Sequence, residues 1–168
     1  KKFGQHASIL FADHHMSHAA SAFLCSPFES AAVVTLDGVG EWATTTFGIG
    51  SGNTLVLKKQ INYPHSLGLF YSAVTSYLGF KPNSAEYKVM GLSPYGNMDK
   101  SKNQYYQKLK QVIDIKDDGS YCLDMNYFTY HYGDRMPSRK LCTLLGGSVR
   151  KAESEVTQRH KDIAAALQ

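Results

Sequence analysis

"SILFADHHMSHAASAFLCSPFESAAVVTLDGVGE", residues 8–41, changes its hydrophobic period twice, and those changes set the fold class. "SILFA" (8–12) is a short apolar run of the kind a buried strand supplies. From His14 to Cys25 the alanine-rich stretch predicts a helix, ended by "SPF" because the residue before a proline is pushed out of the helical region. "AAVVTL" (31–36) is β-branched and uninterrupted, as expected of a central strand covered on both faces, and it runs into the glycine-containing turn "DGVGE". Strand, helix, strand is the opening of an α/β protein.

Working outward, "WATTTFGIG" and "TLVLKKQI" alternate as two further strands, with "GSGN" between them as a hairpin turn. Ser66 to Leu78, "SLGLFYSAVTSYL", places apolar residues at helical spacing behind a capping serine. A Gly/Pro/Asn loop, a helical turn or two around "EYKVMGL" and an amphipathic helix over 102–113 follow. "DDGSYCLDMNYFTYHYG" (117–133) reads as an aromatic-rich hairpin or irregular insertion, and 136–157 as mostly loop. Thr157 can cap a last helix, in which Ile163, Ala164, Ala165 and Leu167 form an apolar side. That pattern reaches Gln168 with no glycine, asparagine or proline to end it, which implies a chain cut from a longer protein.

Composition narrows the function classes. Hydrophobic residues at 43% against 19% charged ones give a globular profile. The net charge of +4 comes from scattered lysines and arginines, not from one basic stripe, which argues against a nucleic-acid partner. No run of about 18 apolar residues and no signal-peptide pattern is present, which argues against a membrane role. Cys25, Cys122 and Cys142 are too widely spaced for a C-x-x-C site and read as reduced thiols of a cytoplasmic protein.

The chemistry concentrates in "HHMSH". Residues four apart stand on one helix face, so His14 and His18 can offer a nitrogen each to one divalent ion, while His15 points elsewhere. Zinc proteases place a glutamate after the first histidine; here that position is His15, so the base for such hydrolysis is missing. Two histidines on a helix also serve as ordinary polar groups. A converging carboxylate would favour a ligand role, and Asp37 ends the "AAVVTL" strand where open α/β sheets place ligands. As a plain alternative, Asp37 stabilises its own turn. Two imidazoles, one carboxylate and open positions suit iron, manganese or zinc.

"HHMSHAASAF", "LDGVGEW", "PHSLGLFYSAVTSYLGFKPNSAEYKVMGLSPYG" and "VTQRHKDIAAALQ" together resemble the O-carbamoyltransferases of the nodulation-protein U and cephalosporin carbamoyltransferase family. The likeness runs over nearly the whole chain and is weakest between about 100 and 150. It implies part of an actin-like (ribonuclease H-like) domain similar to the tRNA threonylcarbamoyl transferase, an α/β fold with a mixed β-sheet flanked by helices plus the aromatic-rich insertion. On this reading residues 1–100 form the core of a first lobe, 101–156 an insertion or connection, and 157–168 the start of a helix leading to a second lobe. The resemblance implies a metal, iron foremost with manganese or zinc as alternatives, held by His14, His18 and Asp37, with a further aspartate outside this chain.

It also implies a carboxy-terminal domain, absent here, that makes carbamoyl-adenylate from carbamoyl phosphate and ATP. The carbamoyl group would pass to a hydroxyl of a small natural product or sugar, and this chain alone would be inactive. Because the adenylate is already activated, no serine or cysteine nucleophile is needed; the site must orient the hydroxyl and stabilise developing charge. Gly38 and Gly40 would let backbone N–H groups approach phosphate or carbamoyl oxygens. Glu41 either orients substrate or pairs with a surface cation. His65 and Ser66 open a helix whose amino terminus favours an anion, or simply cap it. Glu86 and Lys88 match a segment that contacts nucleotide in the related tRNA-modifying enzymes, and Lys88 could meet a phosphate. Trp42 reads as core or lining. A tRNA threonylcarbamoyl transferase and a non-catalytic ligand-binding module are the alternative functions.

Overall fold

The structure, a computed structural model, describes residues 9–168. Its centre is a three-stranded antiparallel sheet of β1 (Ser30–Gly40), β2 (Ala43–Ser51) and β3 (Thr54–Asn62), in that order. Gly52 takes φ 54° in the β2–β3 turn, a backbone region that glycine enters without a Cβ clash. The helix α1 (His14–Phe23) precedes β1 and lies on one face of the sheet, where Ala19, Phe23 and Val33 bury one another with Leu55 and Leu57 at the margin. The Phe23 ring occupies the space where a side chain at Gly50 would stand.

The remaining helices form the larger core. They are α2 (Leu67–Tyr77), α3 (Glu86–Leu92), α4 (Gln104–Lys110), α5 (Arg139–Leu144) and α6 (Gln158–Leu167). Val74, Tyr77, Leu78, Val89, Val112, Phe128, Leu141, Leu145 and Ile163 are fully buried among them. The short hairpin of β4 (Ile113–Ile115) and β5 (Tyr121–Leu123) joins this core to the sheet. Tyr121 makes that joint: its hydroxyl shares a buried 2.8 Å hydrogen bond with Thr45 on β2. Caps follow the sequence. Ser66 accepts from Leu69 N–H at the start of α2, and at the start of α6 the His160 Nδ1 accepts from Thr157 N–H.

The α/β class stands, but the expected mixed sheet is corrected: among the described residues paired strands are consecutive and joined by hairpins, and every strand pairing is antiparallel. Three further expectations need correction. Ser8 of "SILFA" lies outside the described residues, and Ile9 to Ala12 form no strand; Leu10 and Phe11 are 91% and 94% exposed. No strand among the described residues offers them a ladder, and an apolar run becomes a strand only where its N–H and C=O groups find partners. Among the described residues β1, expected to be central, pairs with β2 alone, and Val34 and Leu36 are exposed on the face opposite α1. The stretch 136–157 contains α5, capped by Ser138, whose hydroxyl accepts from Leu141 N–H. Its glycines and charges mask a single buried turn anchored by Leu141 and Leu145.

Phe128 sits at the centre of the larger core, edge-on to Phe70 at 5.7 Å. Phe128→Ala is expected to cost about 3–5 kcal/mol of stability, read as a lowered urea midpoint, because it leaves a cavity that helices on several sides cannot all collapse into.

Candidate metal centre

The α1 helix carries two adjacent stripes. His15, Ala19 and Phe23, each four apart, form the buried one. His15 sits at its head as an anchor: its Nε2–H donates to the Ala43 carbonyl at 2.9 Å, and its Nδ1 shares a 2.6 Å hydrogen bond with the Thr35 hydroxyl. Thr35 in turn bonds the Thr46 hydroxyl at 2.7 Å, so one imidazole ties the helix to both β1 and β2. With that stripe fixed, the next one, His14 and His18, is turned toward the end of β1.

Asp37 stands there for two reasons. Val33, Thr35 and Asp37 alternate onto the α1 face with the strand period. The ladder then breaks: Leu36 pairs with Thr45 and Gly40 with Ala43, so Asp37, Gly38 and Val39 face a single residue, Thr44, in a bulge larger than the usual two-against-one. Where the ladder is interrupted, the buried Ser66 hydroxyl reaches the carbonyls of both Asp37 and Gly38, at 3.0 and 2.7 Å. The amino terminus of α2 closes on the same backbone at Gly68, where an added Cβ would come within 2.7 Å of the Asp37 carbonyl.

His14, His18 and Asp37 therefore converge, with one ligating atom from each within 4.8 Å of the others. The two Nε2 atoms are 3.0 Å apart, and His18 Nε2 lies 3.4 Å from Asp37 Oδ2. Ligands at about 2.1 Å from a shared ion stand about 3.0 to 3.4 Å apart in octahedral or tetrahedral arrangement, so these two spacings fit a metal. His14 Nε2 and Asp37 Oδ2 are in direct contact, closer than two ligands of one ion, and would part to admit it; Asp37 Oδ1 accepts from Gly38 N–H at 2.6 Å. Burial by itself would raise the Asp37 carboxyl. The hydrogen bonds from His14 and Gly38, with the positive charge His14 and His18 can carry, outweigh it and hold the group below the usual carboxylate range. A carboxylate kept ionised beside two imidazoles is what a divalent cation binds.

The other residues divide by place. Gly40 belongs to the centre, since a Cβ there would fall on the His14 ring. Gly38 supplies the N–H to Asp37, and Glu41, at φ 60° in the β1–β2 turn, is exposed next to Gly40. Ser66 is a cap that also fixes the Asp37 backbone. His65 lies apart from the cluster, its Nδ1 accepting from Leu123 N–H at 3.1 Å. Glu86 and Lys88 are not brought to the centre by any contact. The Glu86 carboxylate accepts from the Ser72 hydroxyl and Asn83 N–H at 2.8 and 2.6 Å, and Lys88 stands 5.9 Å from the Phe80 ring centroid. Sequence reasoning missed His15, Thr35, Thr46 and Gly68 as supports; the one available signal was that His15 heads the i, i+4 stripe through Ala19 to Phe23. Of the two readings of Trp42, core or lining, the core one is corrected: it is 69% exposed, and it lines a cavity at the β1–β2 turn.

Residues 1–168 match the family model described as carbamoyltransferase N-terminus. An uncharacterized protein of Synechocystis sp., sll1178, is 52% identical over 95% of this chain and 25% of its own length. The nodulation protein NolNO of Sinorhizobium fredii is 36% identical over 95% of this chain and 21% of its own length. The nodulation protein NolO of Bradyrhizobium diazoefficiens is 35% identical over 93% of this chain and 26% of its own length. The chain thus spans about a quarter of the length of these relatives.

Gly40→Ala is expected to displace the His14 ring and weaken zinc or manganese binding about 10- to 100-fold in calorimetric titration. Gly38→Ala, whose Cβ would meet only the Leu69 side chain at 3.8 Å, should bind nearly as well as the parent sequence. At Glu86, burial raises the carboxyl, but the bonds from Ser72 and from the Asn83 and neighbouring N–H groups prevail and lower it below 4.5. A group depressed on folding stabilises above its unfolded value and loses that contribution as pH falls through the folded one. The stability gap between the parent sequence and Glu86→Gln in urea titrations should therefore be full at pH 6 and shrink steadily below about pH 4.5.

Proposed function

The chain belongs to the carbamoyltransferase N-terminus family, and from that premise we propose that it is the metal-holding part of an enzyme that passes a carbamoyl group to a hydroxyl. The observation that carries the reading is the convergence of His14, His18 and Asp37 on one point. These three side chains would hold a divalent ion, iron foremost and manganese or zinc as alternatives, which when bound supplies Lewis-acid polarisation of a carbonyl.

The chain's own groups have definable tasks. His14 and His18 present their Nε2 atoms from one helix face, and His15 keeps that face in place. Asp37 contributes fixed negative charge, oriented by Gly38 N–H and by the Ser66 hydroxyl on its backbone. Gly40 leaves room for the His14 ring, and Glu41, exposed next to Gly40, would accept a proton or a hydrogen bond from an incoming hydroxyl. The donor in this proposal is carbamoyl-adenylate, made from carbamoyl phosphate and ATP by a domain in the part of the longer protein that the relatives have and this chain lacks. AMP leaves, so the chain needs no nucleophile of its own. The whole protein is proposed to be actin-like in fold, with a small natural product or sugar as acceptor, and to work in the cytoplasm. No helix among the described residues is long and apolar enough to cross a membrane.

The test uses the longer protein, with carbon-labelled carbamoyl phosphate, ATP and a hydroxyl acceptor, under anaerobic conditions with added iron. His14→Ala/His18→Ala should lower transfer by two orders of magnitude or more and abolish bound metal in elemental analysis. Full transfer by that double variant would reject the proposal. This chain alone should bind metal and give no turnover.

A further inference from the structure

Beside the metal-binding cluster lies a cavity of about 270 Å³ whose walls include Asp13, Gly40, Glu41, Trp42 and Gln60. Gly40 is common to both places, since its far side abuts the His14 ring, and Asp13 immediately precedes His14. Trp42 is the largest side chain in that wall and is 69% exposed, although indole surface is costly to leave in water. It is held there. Its partner in the turn, Glu41, adopts φ 60°, a conformation unfavourable for a residue with a Cβ and more often found where function requires it.

Tyr63 supports Trp42 from outside the cavity's lining. Its ring lies parallel to that of Trp42 within 7°, stacked with centroids 6.1 Å apart. Its N–H donates to the Trp42 carbonyl at 3.0 Å, which locks the two residues together across the strand ends. Tyr130, from the aromatic-rich insertion, braces the far side, its ring 6.4 Å from Tyr63 and its hydroxyl donating to the Pro64 carbonyl at 2.8 Å.

Charge chooses the ligand. A flat aromatic pair can receive either a nucleobase or the apolar face of a saturated ring. The cavity carries two carboxylates, Asp13 and Glu41, and neither lysine nor arginine among its lining residues. A phosphate-bearing ligand would be repelled there, whereas hydroxyls would find acceptors in both carboxylates and in the Gln60 amide. We propose that Trp42 and Tyr63 form a stacking platform for the ring of a hydroxyl-rich, uncharged or cationic acceptor, and that Asp13 and Glu41 read its hydroxyls. This inference rests on the carbamoyl-transfer reading for the acceptor's role, but the platform itself requires neither metal nor donor. It fixes the acceptor in the cavity next to the cluster, with the orientation gain that a bimolecular transfer needs.

Trp42 is the single tryptophan of the 168 residues, so its emission reports the platform directly. The chain, shown folded by circular dichroism, is titrated with methyl β-D-glucopyranoside, with acyclic sorbitol and with AMP. A saturable emission change with the glucoside, absent with sorbitol and with AMP, is expected. Tyr63→Leu should weaken it at least fivefold and Tyr63→Phe should restore it. His14→Ala/His18→Ala, which ends transfer, should leave it intact, so that failure of the platform and failure of the transfer reading separate. In the longer protein Trp42→Phe should raise KM for a sugar acceptor several-fold with kcat nearly unchanged and KM for carbamoyl phosphate unaltered. No saturable change with the glucoside, an equal response to sorbitol, a response to AMP instead, or undiminished binding by Tyr63→Leu would each overturn the proposal.

Discussion

The imidazole of His15, bonded to the Ala43 carbonyl and the Thr35 hydroxyl, is the contact on which the geometry of this protein turns. A helix of ten residues is too short to be stable by itself and takes its stability from the surface it packs on. Here the packed stripe is short, with Ala19 and Phe23 as its apolar members. The buried histidine adds direction to it: because each of its nitrogens has one partner, the helix has one rotation and one height on the sheet. His14 and His18 are one residue further round, so the same contact aims them. A helix docked only by alanine and phenylalanine could slide, and the two Nε2 atoms would slide with it.

The second half of the arrangement is a controlled failure of the ladder. A regular β1 would have given one of the adjacent Asp37 and Gly38 carbonyls to β2 and turned the other away from it. The bulge breaks that alternation, and the Ser66 hydroxyl reaches both while capping α2, so one hydroxyl joins the sheet, the helix terminus and the Asp37 backbone. Gly68 and Gly40 permit that closeness, one against the Asp37 backbone and the other against the His14 ring. The carboxylate pays for its partial burial with hydrogen bonds that keep it charged. Rigid support on three sides is what the proposed metal centre at His14, His18 and Asp37 would need.

The same turn that follows the bulge carries a different surface. Glu41 and Trp42 occupy the positions between Gly40 and Ala43, where the backbone must reverse, and the reversal pushes both side chains outward. The aromatic insertion, which docks on the sheet through Tyr121 and on Tyr63 through Tyr130, braces that corner from outside. An insertion that carried no chemistry of its own in the sequence thus has a structural task at the margin of the site.

Much of this was legible residue by residue. The spacing of His14 and His18, the strand parity that sets Asp37 on the face of Val33 and Thr35, and the serine at the head of α2 follow from helix and strand geometry. The backbone imposes that geometry whatever surrounds it. The same local reasoning erred where an element's fate depends on a partner. "SILFA" has the composition of a strand and no ladder to join among the described residues; "AAVVTL" reads as central and pairs with one strand only among the described residues; α5 hid among glycines; Trp42, read as core or lining, is exposed and lines a cavity. Local periodicity tells which face of a helix or strand a residue occupies. Which two faces meet depends on contacts between residues 14 and 37, 15 and 43, or 66 and 38, distant in the chain and brought together only by folding. The sequence by itself determined the donors and their directions, and tertiary structure alone decided that the donors share one point.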